Sequence, residues 1–126
     1  MRVLIVDDSP LMRRYVGRAL HMIREDLTIA EAGNGADAIR QAADDRPDLI
    51  ITDLTMPKMG GEELVARLHT TPELRDIPVL VLSADHCAKR PERLRDAGAI
   101  GYMTKPVTPE MLKETLAGLL EESNEN

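Results

Sequence analysis

Five side chains with chemical potential stand directly after apolar runs. Asp7 and Asp8 follow Val3-Leu4-Ile5-Val6, Asp53 follows Leu49-Ile50-Ile51-Thr52, Ser83 follows Val79-Leu80-Val81-Leu82, and Lys105 follows Ile100-Gly101-Tyr102-Met103-Thr104. Three carboxylates gathered in one place repel: a pair about 5 Å apart at an effective dielectric of 20 opposes folding by roughly 3 kcal/mol. Positive charge must join them. Lys105 supplies one charge, and a hard divalent cation taking oxygen ligands from Asp8, Asp53 and a backbone carbonyl supplies two more. Mg²⁺ suits one or two carboxylates together with waters and a phosphate oxygen. An aspartate is ionised at neutral pH without a general base, and held beside an ammonium and a cation it can attack phosphorus to form an acyl phosphate. The cation and Lys105 would stabilise charge on the transferring group, and Ser83 is the right size to donate to the new phosphoryl oxygens.

Each residue alone has an ordinary reading. Acids at strand ends cap helices or sit in solvated loops, Lys105 by itself is a surface lysine, and Ser83 a turn residue. Convergence of four distant segments favours the chemical reading.

That convergence needs a scaffold. The four runs are short and rich in Ile, Leu and Val, which suits buried parallel strands. Parallel strands put their carboxyl ends on one sheet edge, where open α/β sheets bind ligands. Between the runs lie helices. Ser9 caps the first, with Pro10 at its first position; Leu11, Met12, Tyr15, Val16, Ala19, Leu20 and Ile23 are expected inward, and Arg13, Arg14 and Arg18 outward. Thr28-Ile29-Ala30-Glu31-Ala32 alternates as an edge strand does. Asn34 caps a second helix through about Ala43, with Ala38, Ile39 and Ala42 inward.

A third helix starts near Gly60-Gly61, carries Leu64, Val65 and Leu68, and stops at Thr70-Thr71-Pro72. Pro91 suits the first turn of a fourth, expected over Pro91 to Ala97 after a loop from Ala84 to Arg90, with Gly98 ending it. Thr108-Pro109 opens the last helix, with Leu112, Leu116, Leu119 and Leu120 inward, and Ser123 to Asn126 are expected to fray. Strands alternating with helices give an α/β fold with helices on both faces of a parallel sheet.

The totals agree with that frame. The chain of 126 residues is the size of one domain and can bury a core without disulfides or a structural metal. Its apolar content is aliphatic, with no Phe or Trp and two Tyr, so Tyr102 at a strand end needs a reason. A net charge of −6 argues against direct nucleic-acid binding. The single Cys87 excludes an internal disulfide and fits a reducing compartment. No apolar stretch approaches a membrane span, and the first residues are too few and too acidic for a signal peptide. We therefore expect a cytoplasmic protein with no membrane contact.

Several motifs then combine: Val6-Asp7-Asp8-Ser9, Ala32-Gly33-Asn34-Gly35, Pro47-Asp48-Leu49-Ile50-Ile51-Thr52-Asp53, Met56-Pro57-Lys58-Met59-Gly60-Gly61, Pro78-Val79-Leu80-Val81-Leu82-Ser83-Ala84, Ala97-Gly98-Ala99 and Gly101-Tyr102-Met103-Thr104-Lys105-Pro106. In this order they cover nearly the whole chain, which resembles the response regulator receiver domains of two-component signalling and is similar to the single-domain chemotaxis regulators. The resemblance implies a flavodoxin-like (βα)5 three-layer sandwich whose five-stranded parallel sheet has the order 2-1-3-4-5, an order already described for such regulators.

It also implies that Asp53 accepts a phosphoryl group from a phosphohistidine of a sensor histidine kinase or phosphotransfer protein. Asp8, Asp53 and the backbone carbonyl of Thr55 would bind Mg²⁺, with Asp7 acting through water. Ser83 and Lys105 would hold the phosphoryl oxygens, and Lys105-Pro106 would be a cis peptide. Tyr102 would turn inward as Ser83 moves, reshaping a face of the fourth helix, fifth strand and fifth helix where a downstream protein reads the state. Thr55 and Asp85 resemble the positions flanking the water that attacks the acyl phosphate, so both are expected to tune its lifetime. Val107 stands where many relatives have Phe, and Pro91 shortens the fourth helix, so the output face is expected to differ from the usual form.

The expectation is a receiver over residues 1–122 with a flexible tail at 123–126, monomeric, acting as a signalling device rather than an enzyme beyond its own phosphorylation and dephosphorylation. One alternative is the N-terminal receiver of a larger transcriptional regulator or hybrid kinase. A second is an aspartyl-phosphate phosphatase, which usually has an Asp-x-Asp pattern after its first strand and a cap; here Asp7 and Asp8 are adjacent and no segment is spare. A nucleotide-binding module is disfavoured because no Gly-rich loop follows the first strand.

His21, His69 and His86 are scattered and read as solvated. Lys89, Arg90, Arg93 and Arg95 alternate with Glu92 and Asp96, a solvated face first and a docking patch for an acidic partner second. Cys87 has no neighbour in sequence that argues for reactivity, and the seven Met residues read as core filler.

Overall fold

The computed structural model describes the backbone of residues 1–84 and 90–125, with side chains at 1–84 and 92–117. Ten elements alternate: β1 (Arg2–Val6), α1 (Pro10–Ile23), β2 (Thr28–Ala32), α2 (Gly35–Asp44), β3 (Leu49–Asp53), α3 (Gly61–Thr70), β4 (Val79–Ser83), α4 (Arg90–Ala97), β5 (Gly101–Thr104) and α5 (Pro109–Glu125). All strand pairs are parallel and the order is β2-β1-β3-β4-β5, the flavodoxin-like arrangement. None of the described helices is long and apolar enough to cross a membrane.

Successive strand side chains point to opposite faces, which sorts the apolar residues into two cores. Leu4, Val6, Ile50, Val79 and Val81 pack with Ala38, Ala42, Leu64, Val65, Leu68 and Leu94 of α2, α3 and α4. Val3, Ile5, Leu49, Ile51, Leu80, Leu82 and Met103 pack with Val16, Ala19, Leu20, Leu112 and Leu116 of α1 and α5. β1, β3 and β4 are covered on both faces, which explains their unbroken apolar runs. β2 occupies an edge, as its mixed composition suggests.

The expected helix starts hold. Ser9 Oγ accepts the Met12 N–H at 3.2 Å, Pro10 fills the first helical position, and Asn34 Oδ1 accepts the Asp37 N–H at 2.8 Å. α4 begins at Arg90, one residue before the expected Pro91, and ends where Gly98 takes a φ of +120°, a region glycine enters without a Cβ penalty.

One expectation needs correction. Leu11 and Tyr15 were placed on the buried stripe of α1, yet they are 74% and 45% exposed. They lie on the flank of the stripe, on the face they share with the exposed Arg14 and Arg18, and Tyr15 instead donates its hydroxyl hydrogen to the Val107 carbonyl at 2.6 Å. The last helix has helical backbone from Pro109 through Glu125. Asp85, His86, Cys87 and Lys89 lie outside the described residues, as do the side chains of Arg90, Leu119 and Leu120.

Candidate functional site

The sheet register delivers the chemistry to one edge. Val6 pairs with Thr52, Asp53 with Leu82 and Ser83 with Thr104, so Asp7, Asp53, Ser83 and Lys105 emerge at neighbouring strand ends. Carboxylate oxygens of Asp7, Asp8 and Asp53 all lie within 4.8 Å of one another. Lys105 Nζ stands 3.1 Å from Asp53 Oδ1 and 3.6 Å from Asp7 Oδ2. Its backbone is anchored too, because the Lys105 N–H donates to the Ser83 carbonyl at 2.7 Å. The Lys105-Pro106 bond is cis.

The acids are not equivalent. Asp7 is buried, and the Asp53 side chain is 12% exposed, whereas Asp8 is open to solvent. Asp7 Oδ1 accepts the Ser9 N–H at 2.9 Å and its own N–H donates to Ala32 at 3.1 Å. Burial raises the Asp7 pKa above the ordinary carboxylate value, and the charges of Asp53 and Asp8 add to the rise; the Ser9 N–H and the Lys105 ammonium oppose it. The cluster thus carries an excess of negative charge that one lysine offsets only in part. A set of carboxylate oxygens with that excess fits a hard divalent cation.

The loop from β3 to α3 is held tightly around Asp53. The Gly61 N–H donates to the Leu54 carbonyl at 2.8 Å, and a Cβ on Gly61 would drive into the Asp53 carbonyl oxygen and sit 2.9 Å from Leu54 Cα. Only glycine lets α3 begin this close to the strand end. Within the same loop Lys58 has a φ of 69° and the Met59 N–H reaches the Pro57 carbonyl at 2.8 Å, a three-residue turn that stores strain beside the site. Thr55 is exposed, Ser83 buried, and Tyr102 half-buried against the core that includes α3 and α4.

Next to Lys105 lies an apolar cavity of about 300 Å³ lined by Met12, Tyr15, Val16, Leu82, Lys105, Pro106 and Val107. Val107 is buried on its wall. The structure therefore assembles Asp7, Asp8, Asp53, Ser83 and Lys105, as their positions after apolar runs suggested. His21 and His69 are exposed, and His21 Nε2 lies 3.0 Å from the Leu27 carbonyl. Arg93 pairs with Glu62 of α3 at 2.7 Å on the surface.

One residue near the site was missed. Arg13, grouped with the outward arginines of α1, turns back to donate from Nη1 to the Asp7 carbonyl at 2.7 Å and from Nε to Glu31 at 2.8 Å. No local spacing signals this, because Glu31 arrives from β2.

Comparison with known proteins agrees with this geometry. Residues 3–117 match the response regulator receiver domain family. The chain is 35% identical to the chemotaxis protein CheY of Pseudomonas aeruginosa over 98% of its own length and 99% of that protein's. It is 36% identical to the response regulator MprA of Mycobacterium ulcerans, covering 95% of this chain and 50% of that one. It spans about half the length, or less, of several curated relatives it matches. The solved structure of the chemotaxis response regulator CheY4 of Vibrio cholerae superposes with a TM-score of 0.83 at 31% identity, covering 94% of this chain and 97% of that one.

Proposed function

The chain belongs to the response regulator receiver domains of two-component signalling, and from that premise we propose that Asp53 is the residue that takes the phosphoryl group. The observation that carries the proposal is the meeting of three carboxylates within 4.8 Å, with Lys105 Nζ 3.1 Å from Asp53 Oδ1, at adjoining strand ends.

In the proposed reaction an Asp53 carboxylate oxygen attacks phosphorus of a phosphohistidine, the new O–P bond forms, the P–N bond breaks, and the histidine ring leaves with the electron pair. Lys105 supplies positive charge for the transferring oxygens without moving far from where it already stands. Ser83, tied to Lys105 through its carbonyl, donates its hydroxyl hydrogen to a phosphoryl oxygen. Asp8, Asp53 and the Thr55 carbonyl would hold Mg²⁺, with Asp7 reaching it through water. When bound, the cation would neutralise the carboxylates and the charge that develops on the phosphoryl oxygens.

Readout follows from the same groups. Ser83 closes on the phosphate, Tyr102 turns into the space behind it, and the surface of α4, β5 and α5 changes for a downstream protein. Phosphorylation shifts that equilibrium only by its difference in contact energy between the two states. Thr55 and Asp85 are proposed to set the acyl phosphate lifetime; an unchanged half-life in Asp85→Ala would dismiss that role. The upstream partner is a sensor histidine kinase or phosphotransfer protein, and the receiver is proposed to act as a cytoplasmic monomer.

Two architectures suit these residues. The relatives include the Pseudomonas CheY, matched over nearly its whole length, and MprA, matched over half, so a stand-alone regulator and the receiver of a longer one are both consistent with the similarity. The length of the native reading frame separates them.

The chemistry is tested by incubating the protein with Mg²⁺ and a small acyl phosphate donor and measuring intact mass. Wild type is expected to gain one phosphoryl group and Asp53→Asn none. Equal labelling of both would reject Asp53, and multiple turnover of phosphate esters would favour a hydrolase.

A further inference from the structure

We propose that Arg13 is a positioning residue for the acidic cluster, holding the turn between β1 and α1 so that the Asp8 carboxylate faces Asp53. The idea rests on the reading above, in which Asp8 and Asp53 hold Mg²⁺. Arg13 differs from its neighbours: Arg14 and Arg18 are exposed, whereas the Arg13 side chain is 19% exposed and spans two elements. Nη1 donates to the Asp7 carbonyl at 2.7 Å and Nε to Glu31 Oε1 at 2.8 Å.

The Asp7 carbonyl belongs to the same planar peptide as the Asp8 N–H. Fixing that carbonyl therefore fixes the direction in which Asp8 leaves the backbone. Asp7 itself is secured independently, by its N–H on Ala32 and by the Ser9 N–H on its carboxylate. Arg13 extends this bracing to the exposed acid. Glu31 offsets the guanidinium charge and orients the fork, so Arg13 contributes geometry more than field. A lysine cannot reproduce this, since a single ammonium lacks the planar pair of donors directed at two acceptors.

Geometry and field predict opposite signs. If Arg13 acted mainly as a nearby cation, removing it would tighten binding of Mg²⁺ to the carboxylates. If it positions Asp8, removing it weakens binding, on the order of tenfold, the lower end for outer groups that orient metal ligands.

The test is calorimetric titration of Mg²⁺ alone into wild type, Arg13→Met and Arg13→Lys, each below its melting midpoint, followed by the Mg²⁺ dependence of labelling by a small acyl phosphate. Arg13→Met keeps the apolar stem. We expect weaker Mg²⁺ binding in both variants, a raised half-saturating Mg²⁺ for labelling, and a rate at saturating Mg²⁺ close to wild type, because Arg13 does not touch Asp53. Binding that is unchanged or tighter in Arg13→Met overturns the inference, and full recovery in Arg13→Lys overturns the fork. Should Arg13→Met fail to fold, Arg13→Lys decides alone. A wild type that does not bind Mg²⁺ sinks the cation site and this inference together; a wild type that binds while the variants match it sinks the inference only.

Discussion

The two sides of the strand-end site are built differently. On the β1 side, α1 runs for fourteen residues with a capped start and buries Val16, Gly17, Ala19 and Leu20, and the acidic turn is tied to β2 and α1 by the bonds of Asp7, Ser9 and Arg13. On the β4 side, α4 has eight residues, and Leu94 is its one fully buried side chain among those described; a surface ion pair joins it to α3. Exposed pairs of that kind contribute between zero and about 1 kcal/mol. On the proposed function, the first side is the platform for metal and phosphoryl chemistry, and the second, with fewer buried side chains among those described, is the side that switches. A relay of this kind needs both, because the elements that switch come from the low-stability end of a structure.

The comparison breaks most readily in the core. Leu20 and Leu94 are both fully buried, and truncating such a residue costs about 2–5 kcal/mol depending on how well the site collapses. We predict Leu20→Ala near the top of that range and Leu94→Ala near the bottom, measured by urea unfolding, with hydrogen exchange showing α4 opening below the global free energy. Equal losses would mean that α4 is as firmly seated as α1.

Gly61→Ala probes the platform beside Asp53. Overpacking of this kind costs about 1–3 kcal/mol, and because the added methyl meets the Asp53 carbonyl the variant is also expected to label more slowly with an acyl phosphate. A stable variant that labels normally would show that the loop can give way.

The charge on the platform predicts a pH effect. The folded-state pKa of Asp7 is raised, so between the ordinary carboxylate value and the raised one the folded chain holds a proton that the unfolded chain has lost. Without divalent cation, the Asp7 contribution to stability therefore falls as pH rises through that window. Asp7→Asn should melt higher than wild type in chelator at neutral pH, with the difference shrinking as pH is lowered through the window. Added Mg²⁺ should stabilise wild type more than the variant. A lower melting midpoint for Asp7→Asn at neutral pH would contradict this.

The smallest expected effect sharpens the comparison at the boundary between the two sides. Val107→Ile adds one methylene toward the cavity of about 300 Å³, a gain of about 0.8 kcal/mol if it is buried without strain. Destabilisation in urea would show that the cavity wall is already set by its neighbours.

Much of this was readable from the chain. Apolar runs ending in Asp7, Asp53, Ser83 and Lys105 announced both the strands and the edge where they act, and Ser9-Pro10 and Asn34 marked helix starts by local hydrogen bonding. Strand order came from resemblance, since no short-range pattern specifies which parallel strands are neighbours. Leu11 and Tyr15 are apolar residues on the flank that α1 shares with Arg14 and Arg18, so residue type pointed inward where the helix face did not. The inward turn of Arg13 depends on Glu31 from β2, a long-range relation that helical periodicity does not encode. Gly60-Gly61 marked only the start of the third helix, and the close approach of Gly61 to the Asp53 carbonyl became visible only in three dimensions.

The most direct test of the central claim is to locate the phosphoryl group. After labelling with an acyl phosphate in Mg²⁺, borohydride reduction converts an aspartyl phosphate to homoserine, which peptide mass mapping can place. The account predicts the mark at Asp53 alone, and a mark at Asp7, Asp8 or any other residue would contradict it.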